Sequence, residues 1–481
     1  MKRQRKLFKL LAILFFGLFL ILTLYGGYSV ATYGNRWFSS SKNPRVRAQK
    51  EMVIAGDIYD RNGIQLATTD ELGNRVYQPT AKARRAVVHI LGDAQGNIAN
   101  GVESFQTAYL YGFHSSFGEL LSGLFTGEAR RGDNLYLTID SLLCQKIVES
   151  FENHSLTNGK HGAAVVMNYL TGEILAQVSL PTFDPQNISG TVNKNEQPFW
   201  NRATQSVYPP GSTFKIVTAS AALKYLPELA EEEFECTGEL QLDGHTIHDF
   251  GNSVHGLMDL KDAFGVSCNN IFAFLAVELT DARLKQMAES FGFNDNFLFR
   301  DLVVENSRYP AQAGRSDYEV GASGFGQSSI AASPMHMCMV AAAIGADGVM
   351  QEPVLLREVR TPSGATRVKW ESRSYRQVMD TDVARVLQNY MRYVVTSGTG
   401  SRAGTRSMTI CGKTGTAEST IIGKPVNYGW FVGYADDISL PIAVSILVED
   451  IDDGQGGGST AAPIAREVFQ YIAEHPERVT N

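Results

Sequence analysis

The chain has 481 residues, 44% of them hydrophobic and 19% charged, which describes folded matter and excludes a disordered or fibrous protein. That length exceeds one ordinary domain and suggests two or three. The net charge of −7 hides an asymmetry: ten of the 43 Lys/Arg and none of the 50 Asp/Glu fall in residues 1–50. The remainder is strongly acidic, which sets nucleic acid aside as a partner, because neutralising phosphates needs clustered bases.

In chain order, the first element is an apolar run. No charged side chain occurs from Leu10 to Asn35, and Leu10–Leu24 is almost wholly Leu, Ile and Phe. About 20 such residues cross a bilayer core of about 30 Å as a helix. The run exceeds the core of a cleaved signal peptide, although Ser29 and Ala31 form a passable cleavage site, so an uncleaved anchor is expected. Five basic residues among the first nine favour a cytoplasmic N-terminus, while five more between Arg36 and Lys50 weaken the charge asymmetry.

Residues 36–50 read as a basic stalk. In Ile54–Leu66, Asn62-Gly63 between two apolar-alternating runs signals a hairpin, since both turn residues tolerate positive φ. Residues 70–130, with a glycine-rich stretch around Ser115–Gly127, read as a small irregular α+β module. Leu135–Ile139 alternates as a strand, and Asp140 caps a helix carrying Leu143, Ile147 and Phe151. Gly162–Asn168 and Glu173–Ser179 are strands about a Thr171-Gly172 turn. Strand patterns return at Ser407–Thr416, Tyr428–Tyr434 and Ile442–Val448, and Ala461–Glu474 is an amphipathic helix. Early and late strands with helices between them imply an α+β fold with an antiparallel sheet closed by distant segments. Gly454–Gly458 reads as a flexible loop only.

Three short elements carry chemistry. Ser212-Thr213-Phe214-Lys215 follows Pro209-Pro210-Gly211 and opens a helix of apolar residues. Positions i and i+3 share a helix face, so Lys215 can reach the Ser212 hydroxyl, and a serine needs a base to become a nucleophile. Lysine serves as that base if burial or a neighbouring cation lowers its pKa. Ser267-Cys268-Asn269 lies between two apolar stretches, at a helix junction. Lys413-Thr414-Gly415-Thr416 sits on a strand where Gly415 lets another chain or ligand lie close, and alternation puts Lys413 and Gly415 on one face.

Each element alone has a bland reading: a capping serine, a polar turn, an edge strand guarded by lysine. S-x-x-K recurs at Ser39/Lys42 and S-x-N at Ser41/Asn43, whereas K-T-G occurs once. The ordered set is specific, and with S-D-N at its second place it marks penicillin-binding proteins and class A β-lactamases. The five cysteines (Cys144, Cys236, Cys268, Cys338, Cys411) show no C-x-x-C spacing, which points to neither a zinc cage nor a disulfide framework. His245, His248, Asp249 and His255 invite a metal reading, but no closing cysteine or HExxH helix is adjacent, so no metal site and no cofactor is expected.

The chain resembles the penicillin-binding transpeptidases over roughly residues 135–480. The likeness includes Asn201-Arg202-Ala203, Gly324–Gln327, Ser333-Pro334-Met335, Lys413–Glu418 and Trp430–Tyr434. Gly56–Gly63 is similar to the hairpin opening class B (monofunctional) members, with Ala55-Gly56 where they usually have Arg-Gly, and the short segment after the anchor resembles their short forms.

The resemblance implies an anchor at 1–35, a pedestal module at 36–132 and a transpeptidase domain at 133–481. That domain would be penicillin-binding/serine β-lactamase-like, with an antiparallel sheet, flanking helices and a helical subdomain. It implies Ser212 as the nucleophile on a peptidoglycan stem peptide, Lys215 as its base, and Ser267, Asn269 and Lys413 as a proton relay. Lys413, Thr414, Gly415 and Thr416 would bind the substrate, whose terminal carboxylate suits a lysine and hydroxyls. The backbone N–H groups of Ser212 and Thr416 would form the oxyanion hole. β-Lactams would acylate Ser212, and a separate glycosyltransferase would supply polymerisation, since residues 36–130 hold no room for one. The expected location is the cell membrane, single-pass, with the catalytic part outside.

Rival readings are a D,D-carboxypeptidase, a β-lactamase, a β-lactam sensor and a non-catalytic scaffold. No base for a deacylating water stands out, about nine residues precede the apolar run where a sensor needs a signalling part, and a scaffold leaves the Ser212, Lys215, Lys413 set unexplained.

Overall fold

The computed structural model describes residues 2–38, 48–50, 52–115, 130–191, 196–310, 312, 314–421 and 424–480. The stalk between 39 and 47, with its Ser39/Lys42 and Ser41/Asn43 repeats, and most of the glycine-rich stretch lie outside the described residues. The first helix, α1, spans Lys2–Phe38, and its Lys6–Val30 segment, of mean hydropathy 2.6, is exposed along nearly all its length. It is long and apolar enough to cross a membrane.

The hairpin forms as expected. β1 (Ile58–Tyr59) pairs antiparallel with β2 (Gln65–Thr69), and Gly63 takes φ +78° at the turn. Asp60 holds this turn, accepting from the Asn62 and Ile64 N–H groups at 2.9 Å, and its other oxygen accepts from the Ser141 hydroxyl at 2.7 Å. A six-stranded sheet runs β13-β12-β4-β1-β2-β3, with β3 at Arg75–Tyr77, β4 at Asn134–Leu137, β12 at Leu356–Arg360 and β13 at Thr366–Lys369. Strands from 134–137 and 356–369 therefore complete the sheet of the N-terminal module. Helix α2 (Ala81–Leu91) is fastened to the rest by Arg84, whose guanidinium donates to both Asp184 oxygens at 2.8 and 2.6 Å.

The central sheet is antiparallel throughout, in the order β15-β16-β17-β5-β6. β5 (Gly162–Asn168) and β6 (Ile174–Leu180) are buried along their full length, the edge strand β6 because α2 and the Ser141–Asn153 helix pack on it. β15 (Ile410–Ile421), β16 (Lys424–Ala435) and β17 (Ile442–Glu449) return from the far end of the chain to close it.

Helix α3 (Ser141–Asn153), capped by Asp140 as predicted, packs with α10 (Ala461–Glu474) on the sheet. Helix α8 (Pro334–Gly345) also packs on β5, β16 and β17. Beyond the β15 edge lies a helical layer of α4 (Lys215–Tyr225), α5 (Leu260–Val266), α6 (Asn269–Ser290, broken at Thr280), α7 (Asp317–Gly324) and α9 (Thr381–Thr396). Between α4 and α5 run four short strands: β7 (Phe234–Cys236), β8 (Glu239–Leu242), β9 (His245–His248) and β10 (Gly256–Met258), and further on β11 (Val349–Gln351) pairs antiparallel with β14 (Ser374–Gln377).

Candidate active site

The three sequence elements meet where the helical layer faces β15. Pro209-Pro210-Gly211 leads into a 3₁₀ turn over Gly211–Phe214, and α4 starts at Lys215. Gly211 has φ +52°, and a Cβ there would stand 2.4 Å from the Thr416 carbonyl oxygen. A Cβ on Gly415 would stand 2.9 Å from Thr213 Cγ2. These two glycines let the serine turn press directly on the β15 backbone, which sets Ser212 beside Thr416.

Lys215 is fully buried, with its Nζ 5.5 Å from the Phe272 ring centre and 6.0 Å from that of Phe325. The Nζ lies 3.1 Å from Ser212 Oγ, 3.1 Å from Ser267 Oγ, 2.9 Å from Asn269 Oδ1 and 2.5 Å from the Ser267 carbonyl oxygen. Ser267 ends α5 in the left-handed region, at φ +66° and ψ 40°. That costs a non-glycine residue about 1–2 kcal/mol and turns both of its oxygens toward Lys215. Lys413 Nζ donates to the same Ser267 Oγ at 2.8 Å and to the Thr414 carbonyl at 3.0 Å. One serine hydroxyl therefore bridges two amines. Lys413 is as buried as Lys215, capped by the Phe264 ring, so it is no exposed edge guard; α5 and α9 cover that part of the strand.

Burial lowers the Lys215 amine to about 8, opposed by attraction from Cys268 and Asp249. Burial also pushes Lys413 well below an ordinary lysine, helped by repulsion from Lys215. Two ammonium groups sharing one hydroxyl in a dry site disfavour each other, which promotes a neutral amine. A neutral Lys215 has two N–H donors, matching the Ser267 carbonyl and Asn269 Oδ1, and a lone pair left for the Ser212 hydroxyl proton. The geometry can thus make an alkoxide-like nucleophile at Ser212 and pass a proton along Ser267 to Lys413.

A cleft of about 920 Å³ opens over this group, bounded by Ser212, Asn269, Phe325, Thr414, Thr416 and Ser459 among others. All eight residues expected from the sequence converge here, and Thr414 Oγ1 is held by Thr399 Oγ1 at 2.6 Å. The loop over Gly454–Gly458 is a wall of the cleft as well as a flexible-looking sequence. A Cβ on Gly457 would stand 1.9 Å from the Trp430 carbonyl and 2.6 Å from that of Gly415, so the loop runs flush against the sheet. Thr399 and this loop were missed; the glycine run was the one local signal available.

The expectation that His245–His255 lacks a closing cysteine is corrected by the fold. Cys236 and Cys268, from opposite sides in sequence, both approach Asp249 and His255. Spacing rules look for ligands close in sequence, and these come from four separate elements.

The family description "Penicillin binding protein transpeptidase domain" matches residues 162–470. The chain is similar to the peptidoglycan D,D-transpeptidase PbpA of Mycolicibacterium smegmatis, 32% identical over 398 residues, spanning 77% of this chain and 79% of that one. It is also similar to the imipenem acyl-enzyme complex of penicillin-binding protein A from Mycobacterium tuberculosis, at 27% identity and TM-score 0.76, covering 88% of this chain and 99% of that one. The D,D-transpeptidase domain of a peptidoglycan glycosyltransferase from Eggerthella lenta matches at 28% identity and TM-score 0.73, over 88% and 99%. With the fold, the bridged lysines and these likenesses in agreement, the chain belongs to the class B, monofunctional penicillin-binding protein transpeptidases.

Proposed function

We propose that this protein is a peptidoglycan D,D-transpeptidase in which Ser212 forms the acyl-enzyme and Lys215 is its base. The observation that carries the reading is the Ser212–Lys215–Ser267–Lys413 chain of hydrogen bonds, with its two buried amines opening on one cleft. Ser212 Oγ attacks the carbonyl between the two terminal D-alanines of a stem peptide, and its proton passes to Lys215 Nζ. Ser267, Asn269 and Lys413 deliver a proton to the departing D-alanine amine. The backbone N–H groups of Ser212 and Thr416 face the developing oxyanion, a role supported by the close seating of the serine turn on β15. Lys413, Thr414, Gly415 and Thr416 receive the terminal carboxylate. An amine of a neighbouring stem then displaces the enzyme and forms the cross-link.

Among the described residues no carboxylate is hydrogen-bonded to Ser212 or Lys215, which favours attack by an amine over base-assisted hydrolysis and so disfavours a β-lactamase. β-Lactams acylate Ser212 by the same attack, as imipenem acylates the mycobacterial relative. With its one apolar N-terminal helix this is a single-pass membrane protein; residues 1–35 place the N-terminus in the cytoplasm, and 36–132 and 133–481 serve as pedestal and catalytic unit outside. A separate glycosyltransferase supplies the glycan strands. Labelling of the full chain with a fluorescent penicillin, wild type beside Ser212→Ala, tests the assignment. The label is expected on wild type alone, and equal labelling of both refutes it.

A further inference from the structure

One acid on the wall of the cleft has no part in the chemistry described above. Glu418 lies on β15 two residues past Thr416 and is exposed where the strand borders the cleft. Asp249, the other carboxylate on the lining, is 1% exposed and already accepts the Asn269 backbone N–H. Among the described residues no lysine or arginine lines the cleft, and none holds the Glu418 carboxylate by a hydrogen bond or an ion pair. The other titratable groups on the lining are His248, His255 and Tyr318. The negative charge of Glu418 therefore acts on whatever lies along β15 without a neighbouring cation to cancel it.

β15 is the outer strand of its sheet, hydrogen-bonded on one side to β16, and such an edge can take up an extended peptide. Alternation decides which of its side chains face the serine turn. A Cβ on Gly415 would stand 2.9 Å from Thr213 Cγ2, and one on Gly211 would stand 3.0 Å from Ala417 Cβ. Thr414, Thr416 and Glu418 point the other way, and a Cβ on Gly456 would stand 2.5 Å from Thr416 Oγ1. The two anchors of the substrate then set its direction. With the terminal carboxylate at Thr414 and the scissile carbonyl at the Thr416 N–H, the rest of the stem runs toward Glu418. An extended chain advances about 3.3 Å per residue, so the residue before the scissile D-alanine is carried about that far, while Glu418 stands about 6.6 Å past Thr416. A side-chain amine on a flexible four-carbon stem closes the remaining distance.

We propose that Glu418 selects stem peptides in which the residue two before the terminal D-alanine carries a free primary amine. The ammonium of that side chain pairs with the Glu418 carboxylate. An acylated amine has no charge to pair, and a side-chain carboxylate is repelled. Both partners stay in contact with water, so the pair changes the rate by a small factor. Glu418 meets the stem away from the reacting atoms, and its effect falls on capture of the donor, not on proton transfer at Ser212. The proposal rests on the transpeptidase reading and deepens it by naming the class of stem.

The test uses the full chain in detergent at low ionic strength, with synthetic five-residue stems that end in D-alanyl-D-lactate. The stems differ only at the third residue, which is lysine, Nε-acetyl-lysine or α-aminoadipate. Ser212 Oγ forms an ester with the alanyl carbonyl, and D-lactate leaves with the serine proton relayed through Lys215. Released D-lactate and the mass of the acyl-enzyme give the second-order rate constant. In wild type the lysine stem is expected to acylate about fivefold faster than the acetyl-lysine stem, with the α-aminoadipate stem slowest. The preference should fade in about 1 M salt. Glu418→Gln is expected to level the lysine and acetyl-lysine stems, and Glu418→Lys to put the α-aminoadipate stem first. Each ratio is taken within one protein, so a loss of folded material cancels. Wild type that treats the lysine and acetyl-lysine stems alike refutes the proposal, as does a lysine preference that survives in Glu418→Gln. Failure of the transpeptidase reading looks different and refutes both: no stem acylates wild type, or the acyl-enzyme persists in Ser212→Ala.

Discussion

If Lys215 must be neutral to take the Ser212 proton, acylation should follow its titration. With the amine at about 8, the neutral fraction is about one-tenth at pH 7 and about nine-tenths at pH 9. The acylation rate constant of the full chain with a fluorescent penicillin should therefore rise about tenfold across that interval and level off above it. An ordinary lysine near 10.5 would give about a hundredfold rise over the same two units, with no plateau by pH 9. The measurement is single-turnover acylation at saturating drug, quenched at intervals and read by gel fluorescence. A profile flat from pH 7 to 9 would mean that no base titrates there, and a hundredfold climb would mean that burial does not tune Lys215; either result refutes the argument.

Folding should register the same shift. The folded pKa of Lys215 lies below its unfolded value, so the folded state binds fewer protons between about 8 and 10.5 and gains stability as pH rises through that window. Relative to Lys215→Met, wild type should recover about 3 kcal/mol between those limits, and parallel denaturation curves of the two proteins from pH 7 to 10.5 would count against it. Ser267→Ala removes the bridge between the amines and should slow acylation about 10²–10³-fold with Tm nearly unchanged, checked by labelling beside a melt. Gly457→Ala drives a methyl into the Trp430 and Gly415 carbonyls, so Tm and acylation should fall together; a variant that labels normally would show the loop is dispensable. Arg202→Met strips the partly exposed Glu449 of its 3.0 Å guanidinium partner while leaving its Tyr208 hydroxyl, and should cost about 1.5–3 kcal/mol by denaturant titration.

The legible parts of this protein are those whose physics is local. Pro209-Pro210-Gly211 breaks the preceding chain just before the serine turn, and the i, i+3 relation between Ser212 and Lys215 needs no tertiary information. Asn62-Gly63 makes its turn within a few residues, and Asp140 caps its own helix. What stayed hidden depends on segments far apart. The hairpin over 356–369 joins the N-terminal sheet through β4, a pairing that strand alternation alone does not specify. Lys413 read equally as an exposed guard, because the burial that changes its chemistry comes from α5 and α9.

The site also shows why its elements are scattered along the chain. A lysine three residues from the serine it deprotonates can be positioned by one turn, but lowering its pKa requires removing water from every side. Here the Phe272 and Phe325 rings, the α5–α6 junction and Lys413 each supply one wall around Lys215. Local sequence places the nucleophile and its base, and the fold makes the base neutral. The enclosure costs stability, since burying two amines opposes folding, and the long central sheet with its two helix-packed faces provides the surplus that tolerates it. A mutation that relaxes any wall should therefore move the acylation profile toward higher pH before it unfolds the protein.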